Sequence, residues 1–257
     1  MNILHHFAHR LFYRVRSVPI RDCVHYCGFR YGRGEFNPYE EYFRGLASGE
    51  PMNCARARLR DFLLHYRPQD LAQALSLDIA NAPPLWQFPW NRVHSGTPKG
   101  WRQTADEIPD VLTHFSDEGV PEQRIHDEYG WLEGAWRAIS SEGYLPGKYS
   151  YVRVFELVGS ERSAYIVADG NHRLAALSTL GVERIEVILA PLRTAHRARN
   201  ASWPAVRDNR LRQDDALRIF DAYFHGNQCP HRTKTLAPVW TSANPARKRE
   251  KKHGGQT

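Results

Sequence analysis

Ile125, Tyr129, Leu132, Trp136 and Ile139 recur at spacings of four, three, four and three, which predicts a helix running to Glu142 with Gly143 as its stop. Two β-rich runs follow, Tyr151 to Leu157 and Ser163 to Ala168, separated by Gly159-Ser160-Glu161-Arg162 in the pattern of a hairpin. A helix from Asn171 to Leu180 and a strand from Arg184 to Leu189 complete this unit. Beyond Trp203-Pro204, the apolar positions Ala216, Leu217, Ile219, Phe220 and Phe224 predict a helix from Asp214 to Phe224, stopped by Gly226.

The first hundred residues read differently. Ile3, Leu4, Phe7, Ala8, Leu11, Phe12, Val15 and Val18 follow helical spacing, with His5, His6, His9, Arg10 and Arg14 opposite, and Pro19 ends the run. Residues 36–80 read as helices, one starting near Pro38 and another with Leu59, Phe62, Leu63 and Tyr66 as its apolar stripe before Pro68. Between 81 and 108, Pro83, Pro84, Pro89 and Pro98 exclude long helices, while Trp86, Phe88, Trp90 and Trp101 offer much apolar area. We read an ordered loop packed on the core; an aromatic wall for a substrate is the alternative.

These elements predict an α+β fold, a small mixed sheet with packed helices. The chain divides into a mainly helical N-terminal region with the Pro/Trp-rich loop (1–110), the α/β unit (111–227) and a polar, basic tail (228–257) whose composition predicts disorder. With 257 residues and 42% hydrophobic content the chain can bury a sizeable core. No internal repeat is visible at solenoid periods.

The net charge of +7 invites a nucleic-acid reading, but its distribution argues against one. Residues 228–257 hold seven basic residues against one glutamate, and residues 1–34 hold six arginines against one aspartate, so the rest of the chain is net negative. A duplex-binding surface needs the opposite, and sequence-specific DNA binding is not expected. The basic amphipathic run 3–18 suits peripheral contact with an anionic membrane surface or docking on its own domain. No apolar stretch is long enough to span a bilayer, and arginines interrupt the N-terminus, so a cytoplasmic location is expected, with peripheral contact at the inner face of the membrane as the variant of it that the 3–18 run suggests.

Four cysteines are too few and scattered for a disulfide-stapled fold. Cys23-Val-His25-Tyr-Cys27, with Cys229 and His231, lacks the paired spacing of a zinc site, and buried structural thiols fit better.

The chemistry concentrates in Asp169-Gly170-Asn171-His172-Arg173, where a strand delivers the chain into a helix. Gly170 permits a sharp turn and Asn171 is placed to cap the helix. The free N–H groups of the first turn and the helix dipole favour an anion there, and Arg173 and His172, cations at the wrong helix end, suggest the same. Arg173 can fork onto phosphate oxygens and His172 can donate to a transferring oxygen. Asp169 would repel phosphate unless a Mg²⁺ ion lay between them. The residues alone equally fit an ordinary Asp-Gly turn with a local Arg–Asp ion pair.

The run Ala138 to Tyr144, then Val152-Arg153-Val154, then Ile166 to Leu177, then Gly181 and Ile185-Glu186-Val187 resembles ParB/sulfiredoxin domains. In that superfamily the equivalent turn, ending in a His-Arg or Arg-Arg pair, binds the phosphates of ATP or CTP, so the resemblance implies a nucleotide partner. Sulfiredoxin carries a cysteine immediately before its His-Arg; Asn171 stands there in this chain, which argues against sulfinic-acid repair. Chromosome-partitioning ParB proteins usually show Arg-Arg and continue into a helix-turn-helix domain, for which residues 191–227 are too short. Free serine kinases carry Asp-Gly-His-His-Arg, similar at four of five positions, which implies ATP-dependent phosphotransfer to a hydroxyl of a small molecule or sugar. A non-catalytic, nucleotide-gated protein that associates with DNA or a membrane is the alternative, and a nuclease would need more clustered carboxylates.

Phosphotransfer to a hydroxyl needs a carboxylate to take its proton. Glu128, three residues after Ile125 and four before Leu132, sits at the edge of the inward stripe and is the candidate base. A capping or ion-pair role is its alternative, and His126, Asp127 and Glu133 are weaker rivals.

Overall fold

A computed structural model describes residues 15–32, 36–85, 87–91 and 120–226, apart from the side chains of 191–193. Its centre is a mixed sheet of five strands: β1 (Val15–Pro19), β2 (Cys23–His25), β3 (Val152–Val158), β4 (Ser163–Asp169) and β5 (Arg184–His196), in the order β1-β5-β3-β4-β2. The hairpin forms as its turn residues predict, with β3 antiparallel to β4. β5 runs parallel to β3, and β2 runs parallel to β4.

The helices are α1 (Pro38–Ala47), α2 (Met52–His65), the short α3 (Leu71–Ala74), α4 (Glu122–Glu142), the short α5 (Pro146–Tyr149), α6 (Asn171–Thr179), the short α7 (Pro204–Arg207) and α8 (Gln213–His225). α1 starts where its sequence can cap it: Asn37 Oδ1 accepts the N–H groups of Tyr39 and Glu40, and Pro38 fills the first position. α4 and α8 end at Gly143 and Gly226, both at positive φ.

Alternation along the strands sends side chains to two cores, one on each face. Val152, Val154, Tyr165 and Val167 pack with α1, α2, α4 and α6 on one face. Phe155, Leu157, Ala164 and Ile166 pack on the other, against α8, the 197–211 segment and residues 79–91. There Phe88 stacks on Trp90, whose ring meets Trp203 and Phe220 edge-on, so the described part of the Pro/Trp-rich stretch lies packed on the core. Trp86, Pro98 and Trp101 lie outside the described residues, as do Cys229, His231 and the basic tail.

Three expectations need correction. Val15 to Val18, read as the end of a helix, form a strand: Val15 lies opposite Ile188 and Val18 opposite Ile185. Two valines three apart fit a helix locally, but the open edge of β5 offers them a ladder, and pairing overrides local pattern. Pro19 is tolerated because β1 is an edge strand. Residues 3–14 of that predicted helix lie outside the described residues. Both edge strands of the sheet therefore come from the stretch read as mainly helical.

β5 is the second correction, because it continues past Leu189 to His196. Leu189 faces Val154 and Thr194 faces Glu156, so residues 190–193 bulge from the ladder before pairing resumes. The third concerns Asn171: the N-cap of α6 is Gly170, and the Asn171 side chain makes no cap. Its Oδ1 accepts the hydroxyl of the buried Tyr31 at 2.7 Å.

Candidate functional site

Gly170 turns β4 into α6 with φ +95° and ψ 23°, a left-handed conformation that favours glycine. A Cβ there would stand 2.9 Å from both Arg173 Nη2 and Val152 Cγ2, so close packing also requires glycine. The first helical bond of α6 runs from Leu174 N–H to the Gly170 carbonyl at 2.9 Å. The N–H groups of Asn171, His172 and Arg173 therefore have no partner within the helix.

This turn forms one wall of a cavity of about 590 Å³. α4 supplies the facing wall through Glu128, Gly130, Trp131, Gly134 and Ala138, and Tyr144, Leu145 and Tyr149 close the side. His25 and Tyr39 also line it. Among the described residues no atom outside the helix's own backbone lies within 4 Å of where a Cβ would stand on Gly130 or Gly134, so no packing contact there requires glycine. Each costs the helix roughly 0.5–1 kcal/mol relative to alanine, and what they leave is room in the cavity.

The structure brings Glu128 and His172 together. Glu128, 2% exposed, is hydrogen-bonded through Oε1 to His172 Nε2 at 2.6 Å. Tyr39 bonds the same carboxylate through its side chain, and burial, then the charge of Glu128, holds the Tyr39 phenol well above its usual range. The His172 ring lies between the edge of Tyr39, 5.0 Å away at 85°, and the face of Trp131, 6.3 Å away at 20°. Trp131 is half exposed at the cavity mouth, with the Arg124 guanidinium 4.4 Å above its ring.

The rivals of Glu128 go elsewhere. Glu133 binds Arg56 and accepts the Tyr42 hydroxyl at 2.8 Å, linking α4 to α1 and α2. Asp127 accepts the Gln123 amide at 3.0 Å on the helix surface, and His126 is exposed.

Arg173 is engaged rather than open. Its Nη1 donates to the carbonyls of Tyr149 at 2.6 Å and Ser150 at 2.5 Å and to Ser150 Oγ at 3.0 Å, while Nη2 reaches Asp169 Oδ2 at 3.4 Å. The guanidinium so pins the corner after α5, where Ser150 sits at φ +67°. Asp169, at the end of β4 with its side chain 55% exposed, offers one carboxylate to the cavity. Among the described residues no group of three or more His, Cys, Asp or Glu converges as a preformed metal cage. Mg²⁺ commonly uses one or two carboxylates plus the phosphates of its ligand, and Asp169 fits that use.

Cys23 and Cys27 are buried thiols; burial, then Asp22, pushes the Cys23 thiol far up. The Cys27 N–H points to His25 Nδ1 at 3.2 Å, so the Cys-x-His-x-Cys run is tied to its own backbone. No helix among the described residues is long and apolar enough to cross a membrane.

Sequence reasoning missed His25, Tyr39, Arg124 and Trp131. Trp131 and the two glycines carried a signal, because a tryptophan off the inward stripe and glycines inside a helix both run against what burial and propensity favour. His25 and Tyr39 reach the site only through the pairing of β2 with β4 and the docking of α1 on α6. Comparison with known proteins adds nothing to this picture: no family model matches the chain, and no curated protein or solved structure matches it significantly.

Proposed function

We propose that this chain is a nucleotide-binding protein of the ParB/sulfiredoxin type that transfers the γ-phosphate of ATP to a hydroxyl of a small molecule or sugar. The observation that carries the proposal is the placement of the Glu128–His172 pair in the same cavity as the α6 N-terminus. Anion-binding backbone and a proton-handling pair are the two parts that phosphotransfer needs, since the rest is positioning and charge stabilisation.

In this reading the phosphates lie against the N–H groups of Asn171, His172 and Arg173, at the positive end of the α6 dipole. Asp169 holds Mg²⁺, which neutralises charge on the phosphates. Gly170 lets the chain approach closely, and the apolar half of the cavity between α4 and residues 144–149 takes the rest of the nucleotide or the acceptor. CTP in place of ATP satisfies the same phosphate contacts.

The test is ADP release from Mg·ATP with a panel of hydroxyl-bearing metabolites, comparing wild type with Asp169→Asn. Asp169 is exposed enough for the variant to fold. Acceptor-dependent ADP formation that falls about 100-fold or more in the variant supports phosphotransfer; equal background in both proteins defeats it.

One observation favours a second reading, a non-catalytic nucleotide-gated protein. Arg173 holds the carbonyls of Tyr149 and Ser150, so a phosphate that recruits this guanidinium releases the corner after α5. Faster amide exchange at 146–151 on adding nucleotide, without turnover, would support gated association with DNA or a membrane; unchanged exchange would count against it.

A further inference from the structure

Resting on the phosphotransfer reading, the geometry points to His172, through Nδ1, as the group that takes the acceptor's proton, with Glu128 and Tyr39 as positioning residues behind it.

Glu128 is 2% exposed, and its carboxylate already receives His172 Nε2 and the Tyr39 side chain. A substrate hydroxyl would have to displace one of these partners to reach it. Both residues line the cavity, but His172 is the more accessible of the two: its side chain is 22% exposed against 2% for Glu128, and its Nδ1 has no hydrogen-bond partner among the described residues.

The pairing also fixes which nitrogen is bare. An ionised carboxylate only accepts. With Glu128 ionised and the ring neutral, the shared hydrogen sits on Nε2, and Nδ1 carries the lone pair. The Tyr39 edge and the Trp131 face restrict rotation of the ring. His172 also stands at the second residue of α6, beside the N–H groups assigned to phosphate, so an acceptor hydroxyl aimed at the γ-phosphorus passes near it.

The step balances. The acceptor's O–H bond breaks and its proton goes to Nδ1, while its oxygen forms a bond to the γ-phosphorus. The bond from that phosphorus to the bridging oxygen breaks, and its electron pair leaves with ADP. The imidazolium so formed is stabilised by the Glu128 carboxylate and returns its proton to solvent. Glu128 thus acts through His172 and touches no reacting atom.

Two measurements on the full chain decide this. The first is the ring ¹⁵N spectrum of His172 in the absence of ligand, at a pH where the ring is neutral. Wild type is expected to show a protonated Nε2 and a bare Nδ1, with the two forms mixed in Glu128→Gln; a wild-type ring protonated on Nδ1 overturns the proposal. The second is ADP formation from Mg·ATP with pooled hydroxyl compounds. His172→Gln should lower kcat by about 10²- to 10⁴-fold with little change in KM for ATP, and Glu128→Gln should lower it less.

Turnover that survives in His172→Gln and vanishes in Glu128→Gln returns the base role to Glu128 and overturns the inference while leaving phosphotransfer intact. Absence of ADP from wild type overturns phosphotransfer itself and the base role with it. Should His172→Gln fail to fold, the wild-type ring spectrum still decides whether Nδ1 is available.

Discussion

Glu128 and His172 are 44 residues apart in the chain, yet their side chains meet at 2.6 Å where α4 crosses the start of α6. The contact joins a buried carboxylate to the Gly170 turn at the N-terminus of α6. It also gives α4 a polar anchor in an otherwise apolar interface, and buried polar groups are tolerated when their partners are in place.

Arg173 should prove structural as well as ligand-binding. Lysine cannot serve two carbonyls, a hydroxyl and a carboxylate from one rigid fork. Arg173→Lys is expected to lose about 1–3 kcal/mol of stability and to speed amide exchange around residues 149–151. Unchanged urea unfolding and unchanged exchange would show that the clamp on Tyr149 and Ser150 is not formed in solution.

Gly170→Ala tests the turn. The left-handed φ and the two contacts at 2.9 Å predict a loss of about 1–3 kcal/mol, with displacement of the Arg173 guanidinium. A thermal melt within a degree of wild type would contradict this geometry.

Gly134→Ala should separate stability from function. An added methyl meets no atom of the described residues within 4 Å beyond the helix's own backbone and improves helix propensity, so unfolding should become harder by roughly 0.5–1 kcal/mol. The same methyl narrows the cavity, and nucleotide affinity should fall. A variant that is more stable and binds equally well would show that the ligand does not approach this face of α4.

Glu40 predicts a pH dependence. Burial raises its carboxyl from 4.5 to about 7, outweighing the Gly32 N–H it accepts and the nearby Arg44. With the folded value above the unfolded one, the native state binds the extra proton between pH 4.5 and about 7. The contribution is therefore fully present below pH 4.5 and is lost as pH rises through about 7. Subtracting the urea-unfolding stability of Glu40→Gln from that of wild type should leave a difference that declines with pH across this window; a flat or rising difference would refute the assignment.

Local signals in the sequence were enough for α4, the β3–β4 hairpin, α6 and α8, because each carries its own period and its own glycine or turn stop. What they could not reveal depends on distant partners. β1 has two valines at a spacing that suits a helix, and only the edge of β5 makes it a strand. β2 has three residues, too few for a pattern. The turn Asp169 to Arg173 and the inward edge position of Glu128 could be read, but not that His172 would pair with Glu128 at the cavity wall or that Arg173 would turn back to Tyr149 and Ser150. Asn171 was misassigned for the same reason, since its partner Tyr31 lies 140 residues away.

Titrating the uniformly ¹⁵N-labelled protein with Mg·ATP and Mg·CTP, and following the backbone amides, tests the central claim most directly. Saturable shifts of Asn171, His172 and Arg173 with at least one of the two nucleotides are predicted, because those three N–H groups are assigned to the phosphates. A folded protein whose amides at 171–173 stay in place with both nucleotides contradicts it.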